Sequence, residues 1–224
     1  NGFARQGYPV RSLFSIPYEG LTREGLPTFR FKGDRITPSN YNKINFQEID
    51  DLAFLKYEGS AEPTFNGSLG NIFTFKNLKL NIFITYSGGN KLRLDPAFRS
   101  WYTDLWATPR EFVNRWSVPG DEQKTDIPTL AAVRDHQSYG YIGYGYSAYN
   151  YSTARVADGG FIRLKEISLA YNLPKSLVKR LGFLKSASVK LQATNIALLY
   201  ADKKLYGQDP EFFRSGGVAS PLPR

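Results

Sequence analysis

Residues 65–86 read FNGSLGNIFTFKNLKLNIFITY and carry the clearest structural signal in the chain. Apolar side chains recur at every second position of 78–86, a period that is typical of β-strands. Residues 65–75 alternate in the same way, with Phe65 and Phe73 on one parity. Lys76 and Asn77 between the two runs have the length and chemistry of a tight turn. The stretch therefore predicts an antiparallel hairpin.

The second strand of this hairpin is long enough to cross a bilayer. Its apolar face continues for about 10 residues, the length that a tilted transmembrane strand needs. Aromatic residues stand toward the ends, at Phe73, Phe75 and Tyr86. Amphipathic rings prefer the headgroup level of a membrane, so this placement is typical of interfacial girdles.

A second hairpin is predicted over 161–196. Residues 161–172 and 186–196 alternate, and a turn over 174–183 with a short helical segment that ends at Gly182 separates them. Lys190, Gln192 and Thr194 share the polar face of the last strand, where they would face a lumen. Val189 and Leu191 lie on the opposite face. A soluble β-sandwich shows the same alternation, so periodicity alone leaves both architectures open.

Three segments lack a strong period, namely 1–63, 91–160 and 197–224. The middle one is too long for an ordinary loop, so we expect it to be functional or to form a domain of its own. It contains every tryptophan and a tyrosine- and glycine-rich stretch over 139–151. Its aromatic residues are candidates for contact with a ligand or a lid protein: Trp101, Trp106, Trp116, Tyr139, Tyr141, Tyr144, Tyr146 and Tyr149. The alternative is a self-packed loop.

The composition excludes several functional classes. The chain has no cysteine and one histidine, which excludes a cysteine nucleophile and any multi-histidine metal site. No nucleophile-elbow, phosphate-loop or EF-hand pattern is present, so we predict no catalytic residue, no cofactor and no metal. The net charge is +9, with seven basic residues against one acid in 161–190. Because the aromatic segment is separate and slightly acidic, a nucleic-acid platform is not expected.

Residues 161–182, FIRLKEISLAYNLPKSLVKRLG, resemble the near-C-terminal signature of the SusC/RagA family of TonB-linked outer-membrane transporters from Bacteroidota. Further segments resemble the same family in the same order: 59–65, 71–77, 114–122 with 127–128, 192–195 and 207–211. Several ordered blocks over most of the chain are far more specific than any one of them.

The resemblance implies an all-β fold, namely a segment of an antiparallel transmembrane β-barrel with long extracellular loops. Family barrels have about 22 strands and enclose a plug. In the implied topology the hairpins 64–90 and 161–196 cross the outer membrane. The irregular segments would then be extracellular: 1–63, 91–160 and 197–224. We expect this chain to be the C-terminal barrel portion of a larger protein.

The resemblance also implies a function, which is TonB-dependent import of a nutrient, an oligosaccharide or a peptide. The implied partners are a SusD-like surface lipoprotein and the TonB–ExbBD complex, the latter reached through an N-terminal part outside this chain. A soluble, aromatic-rich β-sandwich that binds carbohydrate is the alternative reading. The residues favour no enzyme.

Overall fold

The computed structural model describes residues 6–44, 53–98, 109–130, 141–180, 182, 184–214 and 218–220. The chain divides into two compact units, and neither is continuous in sequence. The first unit comprises residues 1–62, 91–158 and 203–224. The second unit comprises residues 63–90 and 159–202.

Strands dominate both units, and a few short helices accompany them. The strands of the described residues are β1 (Ser12–Ser15), β2 (Tyr18–Leu21), β3 (Pro27–Phe31), β4 (Asp34–Ile36), β5 (Lys56–Ser60), β6 (Phe65–Phe75), β7 (Leu78–Gly88), β8 (Lys91–Arg93), β9 (Val156–Asp158), β10 (Phe161–Asn172), β11 (Ser188–Ala201), β12 (Asp209–Arg214) and β13 (Val218–Ser220). The α-helices of the same described residues are α1 (Ile142–Asn150) and α2 (Lys175–Arg180). Their 3₁₀ helices are Pro38–Lys43, Arg110–Asn114, Asp121–Gln123, Thr153–Arg155 and Lys203–Leu205.

The second unit is one antiparallel sheet of four long strands in the order β11-β10-β7-β6. Phe75 pairs with Leu78, so Lys76 and Asn77 form the two-residue turn that the sequence predicts. Lys76 has a φ of 51°, as the first central residue of a primed hairpin turn requires. β10 and β11 are joined through α2 and Gly182, whose φ is 70°. β11 continues to Ala201, beyond the expected strand end at residue 196.

The described part of the first unit forms three small sheets, with the strand orders β1-β5, β2-β3-β4 and β12-β13-β8-β9. The sheets are antiparallel as expected, apart from one short parallel pairing of β13 with β8. The helix α1 occupies the tyrosine- and glycine-rich stretch, where no helix was expected. The fold is mostly β with a few helices. α1 forms although its glycines have low helix propensity, because one side of the helix is buried.

The core of the first unit is assembled from segments that are distant in sequence. Its aromatic centre is Phe98, whose ring stacks on Tyr146 at 4.3 Å and meets Tyr149 edge-on at 5.5 Å. The buried members of the core are Ile16, Leu26, Phe29, Phe31, Ile36, Tyr41, Ile44, Ala97, Phe98, Phe112, Ile127, Ile142, Tyr146, Ala148 and Tyr149. Segments expected to be irregular therefore form a packed unit of their own.

Candidate functional site

The sheet of the second unit has one apolar face. The register places Phe73, Leu80, Leu169 and Leu191 in a single row across its four strands. Other large side chains follow on the same face: Phe65, Leu69, Phe75, Leu78, Ile82, Ile84, Tyr86, Ile162, Leu164, Ile167, Tyr171, Val189 and Tyr200. Leu191 is 70% exposed and Leu69 is 63% exposed, so these apolar side chains are not packed under other described residues.

Aromatic residues mark both ends of the apolar face. Phe75 and Tyr171 lie beside the turn end, whereas Phe65, Tyr86 and Tyr200 lie at the opposite end. The side chains between these two bands are mainly leucine and isoleucine. Aromatic bands on both sides of an aliphatic zone are typical of transmembrane β-barrels.

The other face of the sheet is largely polar. Lys190, Gln192 and Thr194 lie opposite Ala170, Ser168 and Glu166 on this face, as the alternation predicts. A bulge at residue 165 shifts the register of β10 against both of its neighbours. Next to this bulge, Asn81 Nδ2 donates a hydrogen bond to Glu166 Oε1 at 3.2 Å. Whether the face lines a lumen remains a prediction.

The predicted aromatic site residues separate into two groups along α1. Tyr146 and Tyr149 are buried in the core of the first unit, and Tyr146 donates a hydrogen bond to the carbonyl of Thr129. Tyr141 and Tyr144 are about half exposed and contact each other with ring centroids 5.6 Å apart. The self-packed alternative thus describes the first pair, while the second pair still offers aromatic surface.

Burial changes the acid–base chemistry of the core tyrosines. It raises the pKa of Tyr149 well above the ordinary value, because the charged form would lose its hydration. It raises the pKa of Tyr18 for the same reason, and the rings of the two residues meet at 5.7 Å. Both hydroxyls stay protonated at physiological pH and serve as structural groups.

Three further predicted site residues lie outside the described residues, namely Trp101, Trp106 and Tyr139.

Trp116 belongs to a loop that is held by its own hydrogen bonds. The indole Nε1–H donates to Glu122 Oε2 at 3.1 Å, and the backbone N–H of Gly120 donates to the same oxygen. One side of the indole covers Gly25, where an added Cβ would come within 2.3 Å of the ring. Part of the ring therefore has a structural role.

The same loop contains the Pro-Gly-Asp turn that the sequence indicates. Asp121 Oδ2 accepts hydrogen bonds from the backbone N–H groups of Ser117 and Val118. These bonds, the one from Val118 first, lower the pKa of Asp121 because they stabilise its charged form. The carboxylate therefore organises the turn.

The sequence did not reveal the buried polar groups of the first unit. Glu111 and Arg155 form an ion pair in which both side chains are at least 98% buried. The Asn150 side chain accepts hydrogen bonds from the backbone N–H groups of Ala97 and Phe98 and donates one to the carbonyl of Phe98. Neither arrangement has a local sequence pattern, because the partners lie dozens of residues apart.

Two further findings concern only the described ranges. No group of three or more His, Cys, Asp or Glu side chains is placed there so that it could hold a metal ion. No helix in that part of the chain is long and apolar enough to span a membrane.

No family model matches the chain. Among curated proteins, it is similar to TonB-dependent receptor P3 of Formosa agariphila, with 26% identity over 215 residues, which cover 92% of this chain and 19% of the receptor. It is also similar to TonB-dependent receptor P26 of the same organism, with 27% identity over 76% of this chain and 16% of that receptor. The chain thus spans about a fifth or less of the length of these relatives.

Among solved structures, chains of RagAB have a similar fold. The RagAB peptide transporter superimposes with a TM-score of 0.63 and 21% identity, over 95% of this chain and 21% of that chain. The RagAB peptide importer in the closed-closed state gives a TM-score of 0.63 over 99% of this chain and 23% of that chain, at 21% identity. The resemblance found in the sequence is confirmed: the chain is similar in sequence to TonB-dependent receptors and similar in fold to chains of RagAB.

Proposed function

We propose that this chain forms part of the barrel wall and extracellular region of a transporter that imports an oligosaccharide or a peptide across the bacterial outer membrane. The names of its curated relatives support TonB dependence, and the RagAB neighbours support import. In this function a SusD-like lipoprotein closes the outer side. TonB–ExbBD supplies energy through a part of the protein outside this chain, and no bond chemistry or cofactor is involved.

The observation that carries the proposal is the apolar face of the sheet with its two aromatic bands. From Leu78 to Tyr86 the strand runs about 27 Å at about 3.4 Å per residue. A tilt of about 40° converts this length to a height of about 21 Å, close to the apolar band of roughly 25 Å in outer-membrane barrels. Lipid is the environment that such a face fits.

The polar face then lines the lumen. Lys190, Gln192 and Thr194 would contact water, the plug or passing substrate, whereas Val189 and Leu191 would contact lipid. The soluble carbohydrate-binding sandwich needs a second layer over the apolar face. The four strands of the second unit form a single sheet, and its apolar side chains are exposed, which favours the membrane.

Spin labels at adjacent positions test this arrangement. The chain has no cysteine, so Val189→Cys and Lys190→Cys each give one labelling site within this part of the intact receptor. In lipid bilayers the label at 189 should be relaxed by dissolved oxygen, and the label at 190 by a water-soluble nickel chelate. The reverse pattern would mean that the register is wrong, and equal access of the chelate to both would remove the membrane assignment.

Uptake tests the transport itself. Cells without the receptor should lose uptake of its nutrient, and the intact receptor should restore it only where TonB is present. Restoration without TonB would contradict the proposed mechanism.

A further inference from the structure

The turn end of the sheet in the second unit carries a concentrated positive charge. This end comprises the two-residue turn 76–77 and the turn 173–187, which joins β10 to β11. The two turns contain no acidic residue and five basic ones: Lys76, Lys175, Lys179, Arg180 and Lys185. None of these cations has a carboxylate within ion-pair distance among the described residues. Their charge is therefore available to an external anion.

Hydrogen bonds hold the two turns side by side. The backbone N–H of Asn172 donates to the carbonyl of Asn77 at 2.9 Å. In return, Asn77 Nδ2 donates to the carbonyl of Asn172 at 2.7 Å. In the longer turn, Val178 of α2 is buried, whereas the three cations of this helix are exposed. The cations of both turns therefore belong to one exposed surface.

This basic surface borders the apolar face of the sheet. Phe75, Leu78, Tyr171 and Val189 form the last row of that face before the turns. The Nζ atom of Lys76 lies 5.4 Å from the centroid of the Phe75 ring. A cation at the edge of an apolar wall suits the lipid headgroup layer, because its stem contacts apolar surface while its charge stays in water.

The rest of the sheet lacks this excess of positive charge on its apolar side. Lys79 and Lys190 are close to the turn end, but they lie on the polar face opposite Ala170. The other charged residues of the unit are two cations and two acids, namely Arg163, Lys165, Glu166 and Asp202. Only one end of the apolar face therefore has a marked affinity for anions.

We propose that the turn end binds the headgroups of anionic phospholipids in the membrane leaflet that surrounds it. The proposal rests on the membrane assignment of the apolar face made above and specifies the lipid at one end. A membrane surface presents many phosphates side by side, and each Lys or Arg close to it adds to the attraction. Because the cations are exposed, dissolved salt should screen the interaction.

Quenching by brominated phospholipids tests the proposal in the intact receptor. Val189→Cys places a fluorophore in the row beside the turns, and Tyr200→Cys places it in the aromatic band of the opposite end. Each variant is made in a receptor without other cysteines and inserted into vesicles. The vesicles contain equal amounts of phosphatidylglycerol and phosphatidylcholine, and only one of the two lipids has brominated chains.

The label at 189 should report a preference for the anionic lipid. Brominated phosphatidylglycerol should quench it at least about twice as strongly as brominated phosphatidylcholine, since several cations act together. The two lipids should quench the label at 200 alike. Salt at about 1 M should abolish the difference at 189, because the screening length then falls to about 3 Å.

Charge removal identifies the residues responsible. The double variant Lys179→Gln/Arg180→Gln should lose most of the preference at 189. Lys43→Gln/Lys56→Gln is the matched control, since it removes two exposed cations of the first unit. The control should keep the full preference.

Several outcomes would overturn the proposal. They are equal quenching of the label at 189 by the two lipids, an undiminished preference in the double variant, and an equal loss in the control. Loss of the preference on addition of soluble glycerol phosphate at constant ionic strength would also overturn it, because the cations would then bind a free phosphate. Failure of the proposed function would look different, since neither brominated lipid would then quench either label.

Discussion

The two units of this chain obey different physical rules. In the second unit, the alternation of apolar and polar residues within each strand predicts which face of the sheet each side chain is on. Neighbouring residues of a strand face opposite sides, so every second side chain shares an environment. In the first unit a residue's environment depends on partners far away in sequence. Phe98, for example, packs on Phe112, Tyr146 and Tyr149, which belong to two other segments.

This difference determines where each unit is vulnerable. The polar face of the sheet should tolerate substitution, whereas a charged side chain on the apolar face should destabilise the sheet. The first unit should respond to the loss of single buried contacts, whatever the local pattern. Paired substitutions can therefore test the contrast in each unit separately.

The largest effect is expected for a charge on the apolar face. Ala193→Arg places a cation in the row with Ile167 and Ile82, midway between the aromatic bands. In a bilayer this should destabilise the intact receptor by about 2–4 kcal/mol. The measurement is the denaturant midpoint of the receptor refolded in lipid vesicles.

Gln192→Arg, one residue away on the polar face, is the control for this substitution. It should change the midpoint little, because Gln192 lies beside Ser168 among polar neighbours. Equal losses for the two variants would show that the faces do not differ in environment, and the contrast between the units would then fail.

These two rules also explain how much the sequence could predict. The register of 65–88 and the shared face of Lys190, Gln192 and Thr194 follow from alternation alone. The helix α1 could not be predicted, since its glycines and tyrosines have low helix propensity and only burial against the core stabilises it. The ion pair of Glu111 with Arg155 has no local signal, because it exists only after the unit has folded.

A smaller but still large effect is expected for a polar contact of the first unit. Asn150 Oδ1 accepts hydrogen bonds from the backbone N–H groups of Ala97 and Phe98, and its Nδ2 donates to the carbonyl of Phe98. Asn150→Ala leaves these buried groups without partners, which should cost about 2–3 kcal/mol. Hydrogen exchange of the amides at 97 and 98 in the intact receptor measures this loss.

Asn42→Ala provides the comparison, because Asn42 is an exposed residue of the same unit. In the Asn42→Ala variant, hydrogen exchange of the amides at 97 and 98 should match that of the unmodified receptor. If Asn150→Ala also left these amides protected, the side chain would not be holding the segment, and the first unit would be less dependent on single contacts than we argue.

The smallest effects, of opposite sign, are expected for two glycines of α1. A Cβ on Gly145 would lie 2.3 Å from the ring of Tyr41, whose buried hydroxyl donates to the carbonyl of Pro27. Gly145→Ala should therefore displace that ring and destabilise the first unit by about 1–3 kcal/mol.

Gly143 is the matched position in the same helix, because a Cβ there would meet nothing within 4 Å. Gly143→Ala should stabilise the helix by up to about 1 kcal/mol, since alanine is the better helix former. Hydrogen exchange over 142–150 reports both changes. Equal shifts in one direction would mean that propensity, and not packing against Tyr41, determines the stability of this helix.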